Sequence, residues 1–373
     1  EKMKFGIFDK EIWNLYLDFR ILRGLIKHLD KKSVRRIRII QALNQCVNAF
    51  AEDRKNSDKA RKCLRGELDK VASASDLKVS AIGHAHIDTG WLWPVRETVR
   101  KTARTFATQL KIIDEYPQYI FGASQPQPYQ FMKDSYPEIY ERVKLAVSKG
   151  NWECQGGMWV EADCNLISGE SMVRQLLHGK NFFKDEFDVV VDNLWLPDVF
   201  GYSAALPQIL KKSGIDFFLT QKLSWSQFNE FAHQTFHWRG IDGTEILTHF
   251  PPENTYNSEL DTEFLLPAQN GFKEKDKLDE FISLFGVGDG GGGPKLENIE
   301  LGMRMENLEN SPRVHFDTAK NFFHRLEKEK DSLDTWVGEL YLELHRGTLT
   351  THGLVKKQNR KLEWKLRAVE MLW

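Results

Sequence analysis

"LKVSAIGHAHIDTGWLWP", residues 77–94, is where the hydrophobic period of the chain changes. Before it the pattern is helical. Within it, Val79, Ala81 and Ile82 make a short buried strand that stops at Gly83. In an extended segment alternate side chains share a face, so His84, His86 and Asp88 can point the same way. Imidazole together with carboxylate suits Zn²⁺ and other borderline divalent ions. The plainer alternative is a pair of histidines hydrogen-bonded at a strand end. Trp91 and Trp93 follow at once and favour a site that also holds a flat apolar face of a ligand.

Upstream, "EIWNLYLDFRILRGLIKHL" places Ile12, Leu15, Ile21, Leu25 and Ile26 at helical spacing, and Ser33 is a candidate cap for a second helix. Downstream, helical and extended stretches alternate. "TVRKTARTFATQLKIIDEYP" reads as a helix and "YIFGAS" as a strand; "GESMVRQLLHGKNFFKDEF" reads as a helix and "NLWLPDVFGYS" as a strand with its exit loop. "FFLTQ", "EILTHF" and "SLFGVG" read as later strands. Such alternation predicts an α/β fold with a mostly parallel sheet, open or closed into an irregular β/α barrel. Sites in such sheets lie at the carboxyl ends of strands. The expected organisation is a helical lead-in over residues 1–76, an α/β domain over 77–330 and a helical segment over 331–373. The last stretch carries Leu354, Leu362, Leu366, Val369 and Leu372 on one stripe with no stop signal, as in a piece of a longer protein.

The 373 residues suffice for one large domain or two smaller ones. With 52 Lys+Arg against 53 Asp+Glu, no global field draws the chain to nucleic acid or to an anionic membrane. No apolar run reaches membrane-spanning length and no secretory pattern opens the sequence. The four cysteines form no CxxC pair, which fits reduced thiols in an intracellular protein.

Three more clusters carry candidate chemistry. Asp198 follows Pro197 in the loop leaving a strand, where an Asx-turn is the alternative. Asp289 follows a strand and precedes four glycines; without a Gly-Lys-Ser/Thr ending this is no phosphate loop. Such glycines let backbone pass close to a ligand or simply make a mobile loop. In "CQGGMWVEADCN", Glu161 and Asp163 stand two apart beside Trp159, on a shared face or on a solvated edge. Two carboxylates on separate strand ends fit glycoside hydrolysis, in which retaining enzymes hold them roughly 5 Å apart.

In order along the chain, GHAHIDTGWLWP, GGMWVEADCN, LWLPDVFGYSAALPQIL, TQKLSW, GVGDGGGGP and ELYLELHRGTLTTH together resemble glycoside hydrolase family 38, the class II α-mannosidases, in its cytosolic-type branch. The resemblance covers nearly all of the chain from about residue 78 onward and, more loosely, the helical lead-in. It implies that the α/β domain over 77–330 is catalytic and that 331–373 is the truncated start of a helical bundle. It further implies a retaining enzyme that removes terminal α-linked mannose from oligosaccharides in the cytoplasm, with zinc or another divalent ion such as cobalt. His86 and Asp88 match the first two metal ligands. Asp198 matches the nucleophile, which in this family also touches the metal, and Asp289 the acid/base. Trp91 matches the platform for the mannose ring. Lys222, Trp225, His345 and Arg346 match pocket residues, and His84 and Asp163 are supports behind the ligands.

The family's fourth metal ligand is a histidine well past the segment that ends near Thr351. Beyond that residue the sequence offers only His352, so the fourth ligand is expected after residue 373. A piece lacking it is expected to bind metal weakly and turn over poorly. Homo-oligomerisation is left to the full-length protein. A metal-dependent amidohydrolase or polysaccharide deacetylase also sets His and Asp at strand ends, but a metal-bound water attacks. A carbohydrate-binding module would keep the tryptophans without needing Asp198.

Overall fold

The computed structural model describes residues 6–53 and 55–373. Three helices come first: α1 (Lys10–His28), α2 (Val34–Glu52) and α3 (Ser57–Leu68). Asp9 caps α1 by accepting from the backbone N–H of Glu11 and Ile12, and Ser33 caps α2 through the N–H of Arg36, as expected. Leu15, Ile21, Leu22 and Leu25 of α1 are buried with Ile39 and Leu43 of α2. Ile37 and Val47, on the edges of the same stripe, stay exposed.

The body alternates. It runs β1 (Lys78–His84), α4 (Val95–Glu115), β2 (Phe121–Ala123), α5 (Pro126–Ser135), α6 (Pro137–Ser148), β3 (Trp152–Cys154), α7 (Gly169–Phe187), β4 (Asn193–Trp195), α8 (Leu206–Lys212) and β5 (Phe217–Leu219). It continues with β6 (Thr235–Arg239), β7 (Glu245–His249), α9 (Thr262–Gly271), β8 (Glu280–Phe285), α10 (Leu296–Arg304), β9 (Arg313–Phe316), α11 (Ala319–Leu326), β10 (Thr335–Val337) and α12 (Gly353–Leu372). Arg20 of α1 fastens the helical lead-in to this body through Asp261 and Glu297.

The strands form two five-stranded sheets, one ordered β3-β2-β1-β8 with β9 also on β1, the other β10-β6-β7-β5-β4. Every pairing is parallel except the β6–β7 hairpin. β1 is the centre of the first sheet, with Val79 opposite Phe281 and Ile82 opposite Leu284. Apart from Lys78 at its start it is wholly buried, as a parallel strand covered on both faces must be. The expected mostly parallel sheet is therefore present, but among the described residues the strands do not close into one barrel. A side chain of β4 spans the gap to the segment after β3: the Gly156 N–H donates to Asn193 Oδ1 at 3.2 Å.

β10 pairs with β6, so the α/β body runs past the expected boundary at 330, and a long helix begins only at Gly353. The apolar stripe of α12 is exposed, and polar contacts such as Arg174–Glu370 tie that helix to α7. The four cysteines are unpaired. No described helix is long and apolar enough to cross a membrane.

At the start of the first sheet, Glu280, His315 and Asp317 come together with Ser80. Their spacing would suit a cation, but the Arg325 guanidinium already fills that place, 2.8 Å from Glu280 and 2.5 Å from Asp317. Burial works to raise the Glu280 pKa, but hydrogen bonds from His315 and Arg325 outweigh it and hold the group at about 2. Burial likewise opposes charge on His315, and Asp317 and Glu280 outweigh it, raising that group to about 9. The His315 contribution to folding is thus complete below pH 6.5 and lost as pH rises through about 9. The Glu280 contribution is complete above pH 4.5 and lost as pH falls through about 2. Urea midpoints of His315→Gln should lie below those of the unmodified protein at pH 6 and converge with them by about pH 10. A gap that stays constant across that range would show that His315 does not titrate in the folded state.

Candidate active site

β1 delivers its last residue, His84, and the extended arm beyond it to the carboxyl end of the sheet. The two histidines part company there. His84 donates through Nε2 to the Tyr256 carbonyl at 2.7 Å and packs edge-on against Trp195. Burial lowers its pKa to about 4, so it is a neutral support rather than a member of the carboxylate cluster.

His86 turns into that cluster. Its Nε2 lies 3.4 Å from Asp88 Oδ1 and 3.8 Å from Asp198 Oδ2. On its other side, Nδ1 lies 2.6 Å from Glu161 Oε2, close but off the line of a good hydrogen bond. Ligand atoms of His86, Asp88 and Asp198 all fall within 4.8 Å of one another.

Asp198 stands three residues past β4, in a turn pinned by the Tyr202 hydroxyl, which sits within 2.9 Å of the Leu196 carbonyl and 3.0 Å of that of Val199. Its Oδ1 takes a 2.5 Å ion pair from Lys222. Lys222 is buried, and its ammonium lies 3.9 Å from the centre of the Trp225 ring and 4.9 Å from that of Phe200. His345 packs on Phe200, and burial followed by the Lys222 charge lowers its pKa.

Asp289 follows β8 with φ +58°. Its carbonyl accepts from the Asp88 N–H at 2.9 Å, which fixes the acidic loop to the His86 arm. Its Oδ1 accepts from the Tyr256 hydroxyl at 2.7 Å. Burial first, then the charge of Asp198, raises the Tyr256 pKa, so this phenol is a neutral donor between Asp198 and Asp289.

A family model described as the glycosyl hydrolases family 38 N-terminal domain matches residues 76–339. The chain belongs to glycosyl hydrolase family 38. It is 43% identical over its whole length to α-mannosidase G of Dictyostelium discoideum and covers 34% of that protein. It is 41% identical to human α-mannosidase 2C1, again over all of this chain and 36% of that one. The chain thus spans about a third of the length of these relatives. An α-mannosidase of Enterococcus faecalis V583 shares the fold over 71% of this chain and 31% of its own, with a TM-score of 0.60 at 21% identity.

Against this family 38 frame, the structure brings together His86, Asp88, Asp198, Lys222 and, through Tyr256, Asp289. Trp225 and His345 flank Lys222 and Phe200. Trp91 is 57% exposed three residues past Asp88, its ring in a T-shaped pair with that of Trp93. Arg346 turns elsewhere: its Nε donates to the Tyr341 hydroxyl at 2.9 Å, and its guanidinium lies by the rings of Phe228 and Tyr341.

Asp163 is a correction. It is exposed, and its Oδ1 accepts from the N–H groups of Asn165 and Leu166, so it closes a local turn and supports no ligand. Residues 158–163 are irregular rather than extended, so the alternation that would have put Glu161 and Asp163 on one face does not operate. Glu161 is the carboxylate that reaches His86. Tyr256 belongs to no motif that the sequence announces. Its only signal is an aromatic seven residues past the end of β7, in the loop that follows Phe250–Pro251.

The donor set fits the divalent ion that family 38 implies. His86 Nε2 is buried with no hydrogen-bond partner and faces two carboxylates. Burial opposes charge on His86, yet Glu161 and Asp88 outweigh it and raise the pKa. One imidazole and two carboxylates are a zinc-type set with room for a further ligand.

Proposed function

We propose that the protein is a retaining, metal-assisted glycoside hydrolase that removes terminal α-linked mannose from oligosaccharides. The observation that carries this reading is the single neighbourhood of Asp198, which joins the His86–Asp88 cluster on one side and meets Asp289 across the Tyr256 hydroxyl on the other. The α-mannosidase names of the relatives supply the sugar.

Asp198 attacks the anomeric carbon and forms the glycosyl-enzyme bond. Asp289 gives its proton to the leaving oxygen and then takes one from the water that hydrolyses the intermediate. Lys222, paired with Asp198 Oδ1 at 2.5 Å, aims the nucleophile. Tyr256, neutral, holds the two carboxylates apart and orients Asp289. Trp91 offers its exposed ring to the sugar. A divalent ion held by His86, Asp88 and Asp198, zinc or alternatively cobalt, would supply Lewis acidity and a template for sugar hydroxyls. A histidine outside these 373 residues completes that set on this reading. A cytoplasmic setting and homo-oligomerisation of the full-length protein belong to the same proposal.

Trapping the full-length protein with a fluorinated mannosyl fluoride tests it. Peptide mapping should find the adduct on Asp198. Metal-dependent turnover with no covalent adduct would instead support a deacetylase-like or amidohydrolase reaction.

A further inference from the structure

We infer that Glu161 is the positioning residue that sets the metal affinity of His86, braced for that purpose by Ser124 and Gln125. The inference rests on the metal reading of the His86 cluster, not on the identity of the sugar.

The segment that carries Glu161 has no ladder of its own. Residues 158–163 are irregular, so side chains from elsewhere must place the carboxylate. Two consecutive residues just past β2 do so. Ser124 Oγ donates to Glu161 Oε1 at 2.7 Å. Gln125 Oε1 accepts from the Glu161 N–H at 3.0 Å. The same carboxamide donates through Nε2 to the carbonyl of Ile87, the residue between the two ligands His86 and Asp88, at 3.1 Å. One side chain thus ties the backbone of the ligand arm to the backbone of Glu161. Gln125 holds φ at +65°, a conformation strained for a non-glycine residue that persists where surrounding contacts over-determine it. From behind, Val160 is fixed by its N–H to Gln175 Oε1 at 3.0 Å.

So placed, Glu161 leaves Oε2 for His86 alone. That oxygen is buried, has no hydrogen-bond partner and lies 2.6 Å from Nδ1. A carboxylate at this nitrogen keeps the ring proton on Nδ1 and frees the Nε2 lone pair toward Asp88 and Asp198. It also raises the basicity of the ring as a ligand. Charge closes as well. Glu161, Asp88 and Asp198 carry three negative charges, Lys222 returns one, and a dication brings the cluster to neutrality with His86 uncharged. Without Glu161 the same dication would leave a net positive charge in a buried site, which is costly. Glu161 itself is only 5% exposed, behind the imidazole, so it acts through His86 and not on substrate.

The test is metal affinity in the full-length protein, measured by competing Zn²⁺, and separately Co²⁺, against a chromophoric chelator. Glu161→Gln keeps a neutral partner for Nδ1 and removes only the charge; it should bind Zn²⁺ about 10- to 100-fold more weakly with unchanged far-UV circular dichroism. Glu161→Ala should bind at least as weakly and alter the visible spectrum of the Co²⁺ form. Ser124→Ala, which touches no ligand, should weaken binding by a smaller factor, and it keeps the test decisive should Glu161→Ala not fold. Wild-type affinity in Glu161→Gln and Ser124→Ala would overturn the inference, as would an unmodified protein that binds neither ion. An unmodified protein that binds Zn²⁺ but does not hydrolyse an aryl α-mannoside would refute the mannosidase reading and leave this one standing.

Discussion

Asp198→Asn is expected to lower kcat on an aryl α-mannoside by about 10⁴-fold at saturating metal, the scale on which loss of a nucleophilic machinery acts. Three losses coincide at this residue. The amide cannot form the glycosyl-enzyme bond. The cluster loses one of the two carboxylates that face His86 Nε2. Lys222, 4% exposed, keeps its charge but loses its 2.5 Å partner. Breaking a buried pair by removing one member leaves an uncompensated charge and costs more than the pair was worth. The double variant Asp198→Asn with Lys222→Met should therefore unfold at higher urea than Asp198→Asn alone, while remaining equally inactive. Metal content must be measured in parallel, so that a weakened site is not mistaken for a lost nucleophile. A kcat within tenfold of the unmodified protein at full occupancy would remove Asp198 from the nucleophile's role.

The parts of this site that the sequence shows are those fixed by local rules. His86, Asp88, Asp198 and Asp289 all stand two to four residues past a short buried strand, and a Gly or Pro lies at or just beyond the end of each of those strands. α7 falls on residues 169–187 as read, because Ser168 caps it and Asp188 ends it in the left-handed conformation. Other elements escaped for physical reasons. α5 opens on Pro126 and holds Pro128, which reads as a break although proline is tolerated in a first helical turn. β9 spans only Arg313–Phe316, too short to declare a period. β6 alternates buried Phe236 and Trp238 with less buried His237 and Arg239, a legible pattern that a search for parallel βα units passes over. The choice of Glu161 over Asp163 was out of reach, since it depends on contacts from Ser124 and Gln125 across the fold.

Gly286→Ala should destabilise the protein by about 3 kcal/mol or more and disturb the site as well, combining overpacking with backbone strain. Gly286 follows β8 at φ +126°. A Cβ there would overlap the His84 carbonyl oxygen and stand 2.6 Å from Pro294 Cδ and 2.7 Å from Pro294 N. Neither neighbour can give way cheaply. The His84 carbonyl belongs to the buried end of β1, and Pro294 closes the glycine loop, whose ends are joined by paired 3.0 Å hydrogen bonds between Val287 and Gly293. Relief must come from β8 moving off β1 or from the 287–294 loop moving outward. The second route carries Asp289 with it, and Asp289 holds the Asp88 N–H through its own carbonyl. The control is Gly243→Ala, also at positive φ (+85°) but with nothing within 4 Å of its Cβ. That change should cost about 1 kcal/mol, the conformational strain alone. Urea unfolding of the two variants separates the terms. If both lose stability equally, the close passage of β8 over the end of β1 carries no energetic weight, and the register of the acid loop against the metal arm must be set elsewhere.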